Sequence, residues 1–282
     1  MEQKKQNGKY EDDIWRILAK RGDNGGDLWA TGDRRLIKGS PFSTLESAAL
    51  LAELGMDPGE PVLQDTAELI FSTQREDGRF RLVPGGAIYP CQTIHAAQVL
   101  CALGHAQDPR LEKTYRHLLE TRYRDGGWRC NKFSYGRGPE TEFSNPGPTL
   151  MALDAFRHKG YGSSHELDTA VEFLLGHWET RTPLGPCHYG IGTLFMQVEY
   201  PFLSYNLFYY TFVLSFYRRA ASDSRYLAAL TALEERMEGG QIVVQRVNRK
   251  LADFGFCRKG VVSDKGTERY LELKRNLSEW GR

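Results

Sequence analysis

The sequence predicts an all-helical chain of stacked helical hairpins, on three observations. Three segments align without a gap: Thr44 to Gly55, Thr93 to Gly104 and Thr149 to Gly160. In each, Thr and Gly lie the same distance apart, with small and apolar residues between them at helical spacing. A hydroxyl at the start and a residue tolerant of left-handed backbone at the end suit the two termini of a helix. An amphipathic segment then follows each Gly, as the return arm of a hairpin requires. Two of these return arms finish on an Asp-Gly turn with an aromatic residue two places beyond: Asp77-Gly78-Arg79-Phe80 and Asp125-Gly126-Gly127-Trp128.

Along the chain, residues 1–10 are polar and charged with no apolar core segment. They read as a disordered tail and not as a secretory signal, ahead of one domain over 11–280. Asp12 through Lys20 reads as an outer helix without a partner. Ser43 with Glu46 forms a capping box for the first helix of the first hairpin. Ala48, Ala49 and Leu51 there correspond to Ala97, Gln98 and Leu100 in the second copy, and to Leu153, Asp154 and Phe156 in the third. The first return helix starts near Pro61 and carries Leu63, Ala67, Ile70 and Phe71. Asp108-Pro109, an N-cap followed by Pro at the first helical position, opens the second through Arg122, with Leu111, Tyr115, Leu118 and Leu119 as its stripe. Ser163 and Glu166 form a second capping box before Leu167, Ala170, Val171, Leu174 and Leu175. Weaker copies run from Asn206 to Tyr217 and from Tyr226 to Met237, and Thr267 through Leu277 reads as a final first-type helix. The period is about 50 residues, giving about five hairpins. No hairpin can bury its apolar face alone, so they must stack, as an open solenoid or as a closed ring.

The run Gln74-x-x-Asp77-Gly78-x-Phe80 resembles the repeat motif of squalene cyclases and protein prenyltransferase β subunits. The second copy keeps Asp125, Gly126 and Trp128 but has Arg122 in place of Gln, and a third, near His177-Trp178, is degraded. The resemblance covers Thr44 to Tyr217. It implies an α/α toroid (barrel), with the first helices as an inner ring lining a central cavity and the second helices as an outer ring. Five hairpins stand here where the family often has about six. It also implies an enzyme acting on isoprenoid or other lipid-like substrates. The alternative is a non-catalytic toroid that binds a small apolar ligand or a protein partner, or one whose centre is packed shut.

Squalene cyclases protonate substrate with an Asp-x-Asp-Asp acid, in which neighbouring carboxylates hold one proton. No such run occurs, which argues against a standard squalene cyclase. A P-loop, a dinucleotide fingerprint and a Gly-x-Ser-x-Gly elbow are also missing. Prenyltransferase β subunits hold a catalytic zinc with Asp, Cys and His. Pro90-Cys91-Gln92-Thr93 resembles the context of that Cys, while Tyr89 stands at the place of the Asp and Pro148 near that of the His. The turn-bearing rim offers other donors, namely Cys91, Cys130, Cys187 and His188, a set suited to Zn2+. The same thiols are equally suited to burial as small apolar side chains, and Cys101, inside a helix, reads that way. His95, one helical turn after Cys91, together with Tyr205, Asn206 and Tyr209, marks a substrate-binding wall. The aromatic run Phe195 to Tyr217 around them suits an isoprenoid, or plain core.

The chain has 282 residues, a formal charge of +1 and five cysteines. A near-neutral balance gives no reason to expect nucleic acid, and no apolar run approaches the roughly 20 residues of a membrane span. An odd number of scattered cysteines fits reduced thiols and a cytoplasmic protein.

Overall fold

The computed structural model describes residues 7–281. Eleven α-helices stand among them: α1 Glu11–Leu18, α2 Thr44–Glu53, α3 Pro61–Phe71, α4 Pro90–Leu100, α5 Pro109–Glu120, α6 Pro146–Arg157, α7 Asp168–Thr180, α8 Leu207–Leu214, α9 Arg218–Ala221, α10 Ser224–Glu234 and α11 Asp264–Glu279. Among the described residues β-pairing is confined to isolated bridges, and no helix is long and apolar enough to cross a membrane. Helices α2, α4, α6, α8 and α11 pack in succession as the inner ring, and α3, α5, α7 and α10 back them from outside. The chain is an all-α toroid. Because inner and outer helices alternate, α2, α4, α6 and α8 all start at the face that carries the Asp-Gly turns.

The helix starts differ from the sequence expectation in one instructive way. Helices α4 and α6 begin three residues before their repeat threonines, at Pro90 and Pro146. Thr93 and Thr149 therefore do not cap. Their hydroxyls accept a hydrogen bond from the backbone N–H of Phe80 and of Trp128, each at 3.2 Å. Thr44, by contrast, does open α2, with Ser43 as its cap accepting from the Glu46 N–H at 3.4 Å. In the third hairpin the cap is Ser164 and not Ser163, because a 3-10 turn, His165–Leu167, precedes α7. The closing glycines 55, 104 and 160 all have φ between +82° and +91°, the left-handed geometry that ends a helix with little strain only at Gly.

The turns dock each hairpin onto the next. Gln74 Nε2 donates to the Arg110 carbonyl and to Thr114 Oγ1, both at 2.8 Å, and Thr114 Oγ1 donates to the Gly78 carbonyl at 2.7 Å. In the second copy Arg122 does the same work at longer reach, donating to the Glu166 carbonyl and, at 2.6 Å, to Glu166 Oε1. The replacement of Gln by Arg thus keeps the hook. Phe80 and Trp128 are buried beneath the turns. Trp128 donates from Nε1 to the Leu118 carbonyl at 2.9 Å and stacks on Phe156. At Gly126 a Cβ would lie 2.5 Å from Thr169 Oγ1, so the turn sits against α7 with no room for a side chain.

The two ends of the chain close the ring. Asp13 on α1, buried, accepts from the Gly255 and Phe256 N–H groups at 3.0 Å each. Arg16 donates to the Asp253 carbonyl at 2.7 Å, and Lys9 pairs with Asp264. Arg269 on α11 grips Glu53 on α2 through two bonds of 2.8 and 2.7 Å. Helix α1 therefore packs beside α2 and is tied to the segment just ahead of α11, and is not an unpaired one. Of the tail expected over 1–10, residues 1–6 lie outside the described residues. Asn7–Tyr10 is a 3-10 helix.

Replacing Thr149 by Val orphans the buried Trp128 N–H, and should cost about 1–3 kcal/mol in urea unfolding at 25 °C. Gly126→Ala should cost at least as much, because it adds both a clash and a left-handed Cβ. A Thr149→Val protein as stable as the parent would mean that this hydrogen bond does not seat α6.

Candidate functional site

The inner ring encloses a cavity of about 450 Å3. Its lining follows the repeat register. Glu46, Ala49 and Glu53 face it from α2, His95, Gln98 and Ala102 from the second hairpin, and Met151, Asp154 and His158 from the third. That is one stripe at i, i+3 and i+7, repeated three times, as a helix must present to an axis it runs beside. Tyr209 and Phe212 of α8, and Arg269 and Glu272 of α11, continue it at i, i+3. Tyr189, Phe202 and Tyr205 close the wall from the long connection between α7 and α8.

The polar groups at mid-depth are bonded to one another. Asp154 Oδ2 accepts from Gln98 Nε2 at 2.7 Å and from the Tyr209 hydroxyl at 2.8 Å, while Asp154 Oδ1 accepts from Arg157 Nε at 2.5 Å. Burial alone would push the Asp154 carboxyl up. The Arg157 charge and the bonds it and Gln98 donate outweigh that and hold it below the usual carboxylate range. At one end Glu46 accepts from the Ser40 and Ser43 hydroxyls at 2.7 Å each. At the other, Arg269 joins Glu53 to Glu272, the latter at 2.6 Å. Two imidazoles face the same space. Burial holds His95 below its ordinary pKa against the opposing charge of Glu46. Burial, aided by the Arg157 charge, takes His158 down to about 4.

Of the residues expected to bind substrate, His95, Tyr205 and Tyr209 line the cavity. The hydroxyls of both tyrosines are already engaged: Tyr209 on Asp154, and Tyr205 on His177 Nδ1 at 2.9 Å. Asn206 does not face the cavity. It is buried, caps α8 by accepting from the Tyr209 N–H at 2.9 Å, and donates to the Ser204 carbonyl at 3.0 Å. Of the lining residues, the sequence marks Glu46 only as a helix-cap partner and Asp154 only as a repeat position, and Glu53, Arg157, Arg269 and Glu272 not at all. The aligned column Ala49, Gln98, Asp154 was the signal, since two of its three members are polar inside otherwise apolar helices.

The metal set expected at the rim is only partly assembled. Cys91, Cys130 and Cys187 come together beside Tyr189, outside the cavity lining. Burial, and next the proximity of Cys130, push the Cys91 thiol up to about 11 and the Cys187 thiol up to about 12, so both are protonated at neutral pH. His188 does not join them. Its backbone is left-handed (φ 58°), and its Nδ1 lies 4.0 Å from Glu140. Among the described residues no three His, Cys, Asp or Glu side chains are grouped as a metal ion requires. Cys101 is buried against the Tyr115 hydroxyl at 2.9 Å.

No protein-family profile matches the chain, and no curated protein matches it. Among solved structures it is similar to a variant of the type II terpene cyclase MstE from Scytonema in complex with geranylgeranyl dihydroxybenzoate. Identity is 13%, the TM-score is 0.37, and 98% of each chain is covered. A likeness that distant carries nothing about the chemistry of these residues, which rests on their own geometry.

His177 shares the low basicity of His158. Burial takes it to about 4, against the pull of the backbone carbonyls around it. Both rings stay unprotonated in the folded chain over a range where an unfolded histidine, near 6.5, takes up a proton. Folding stability is therefore lost as pH falls from about 6.5 toward 4, by about 1–2 kcal/mol for each ring at pH 5. Urea unfolding at pH 7 and pH 5 should show that difference, and His177→Gln should shrink it. A difference unchanged in the variant would remove His177 from the account.

Proposed function

We propose that this toroid binds a small, largely apolar molecule of the isoprenoid class in its central cavity. The observation that carries this reading is the repeated lumen stripe. Its volume falls within the roughly 300–1,000 Å3 typical of ligand sites. Its walls combine aliphatic Ala49, Leu50, Val99 and Met151 with the aromatic Phe202 and Phe212. Chain-like hydrocarbon buried there gains on the order of 25 cal/mol per Å2 removed from water.

Binding is better supported than acid-initiated cyclisation. A proton-donating carboxyl must be held neutral, and the buried Asp154 is held the other way by Arg157 and Gln98. Glu53 and Glu272 share the Arg269 cation, and Glu46 is a helix-cap partner of Ser43.

A second reading concerns the rim. Three thiols near one another favour a thiophilic ion such as zinc, which would be held by Cys91, Cys130 and Cys187 once these close up and lose their protons. Bound there, zinc would supply a Lewis-acidic centre beside Tyr189.

Equilibrium dialysis of the full chain against labelled farnesol should give about one molecule per chain. Ala49→Phe should fill the lumen and abolish binding without loss of helical circular dichroism. Undiminished binding in that variant would place the ligand elsewhere.

Metal analysis of protein purified without chelator decides the second reading. About one zinc per chain, lost in both Cys91→Ser and Cys130→Ser, supports it. Zinc-free protein leaves these thiols as packing at the rim, Cys130 buried and Cys91 and Cys187 half-buried.

A further inference from the structure

The lumen carries an uneven charge, and every cation in it is spoken for. Four carboxylates (Glu46, Glu53, Asp154 and Glu272) line it against two guanidiniums, Arg157 and Arg269. Arg157 is bonded to Asp154 at 2.5 Å and lies over the faces of Phe216 and Phe212, with centroids 4.3 and 5.2 Å away. Arg269 is shared between Glu53 and Glu272. Both lining imidazoles are held below their ordinary basicity by burial, so neither adds a positive charge at neutral pH. Among the described residues the cavity is left with a formal excess of two negative charges.

An anion entering this space finds no unpaired cation. It must either stay unpaired in a low-dielectric lumen or pull Arg157 or Arg269 from a partner, and each course is costly. The groups still free to bond are neutral. His95 lines the cavity beside the Glu46 charge, and Tyr189 lines the same wall. A neutral imidazole can accept through one nitrogen and donate through the other.

We infer that the cavity takes its isoprenoid ligand in uncharged form, as an alcohol whose hydroxyl meets His95, and discriminates against the corresponding phosphate or diphosphate ester. This rests on the cavity-binding reading above and adds the chemical class of the head group.

Isothermal titration of the full chain with farnesol and with farnesyl diphosphate tests it. Farnesol should bind at least about tenfold more tightly, an electrostatic penalty expected for a doubly negative lumen. Because the two probes also differ in hydrophobicity, the charge itself is tested by Glu46→Gln and Glu272→Gln. Each should raise affinity for the diphosphate, by about threefold or more. Diphosphate binding as tight as or tighter than farnesol overturns the inference and leaves the cavity reading standing, as does an affinity for diphosphate that neither variant raises. Binding of neither compound overturns the cavity reading, and the inference with it.

Discussion

A threonine hydroxyl one turn into an inner helix decides how neighbouring hairpins meet. Thr93 and Thr149 each accept the backbone N–H of the aromatic residue that ends the preceding turn. That bond fixes the height at which Phe80 or Trp128 enters the core, and with it the level at which the next inner helix stands against the last. The cavity stripes come into register only because those levels agree. Gln74 and Arg122 secure the same turns from the outside, by reaching the N-terminal end of the following outer helix. A hairpin seated at both edges has its rotation and its height set together.

The architecture was legible because its determinants are local and repeated. A glycine that must be left-handed, an Asp-Gly turn and a helical stripe each leave a mark at a fixed spacing, and five hairpins could be counted from them. What misled was the role of the repeat threonine. A hydroxyl before an apolar run suits a helix cap, and only the position of Pro90 and Pro146 as first helical residues shows that the helix has already begun. Ring closure left no such mark. Asp13 meets the N–H groups of residues more than 240 positions away, and a single sequence gives no pairing of that range.

The cavity was legible in part. His95, Tyr205 and Tyr209 were found by their aromatic or ionisable character at the right end of the right helices. Asn206 was chosen on the same ground, yet it serves the backbone of α8, as an asparagine ahead of an apolar helix commonly does. The column Ala49, Gln98, Asp154 carried more information than any motif, because a polar residue repeated at one register of buried helices must face a shared interior. Cysteine chemistry was least legible. Proximity of Cys91, Cys130 and Cys187 follows from the turns lying on one rim. The protonation of Cys91 and Cys187, and the turning away of His188, depend on burial and on one left-handed backbone angle.

That the inner helices α2, α4, α6 and α8 all start at the same face has an electrostatic consequence of its own. Each outer helix runs back along its inner one, so over distance their dipoles largely cancel, and what the lumen feels is local, at the first and last turns of the four inner helices. Close to the lumen, the inner-helix N-termini give the turn-bearing end a positive partial charge and their C-termini give the opposite end a negative one. Glu46 lies in the first turn of α2 and Arg157 in the last turn of α6, while Glu53, at the C-terminal end of α2, is matched by Arg269. A polar guest near either mouth would therefore meet backbone partial charges of opposite sign at the two ends, which favours one orientation over the other.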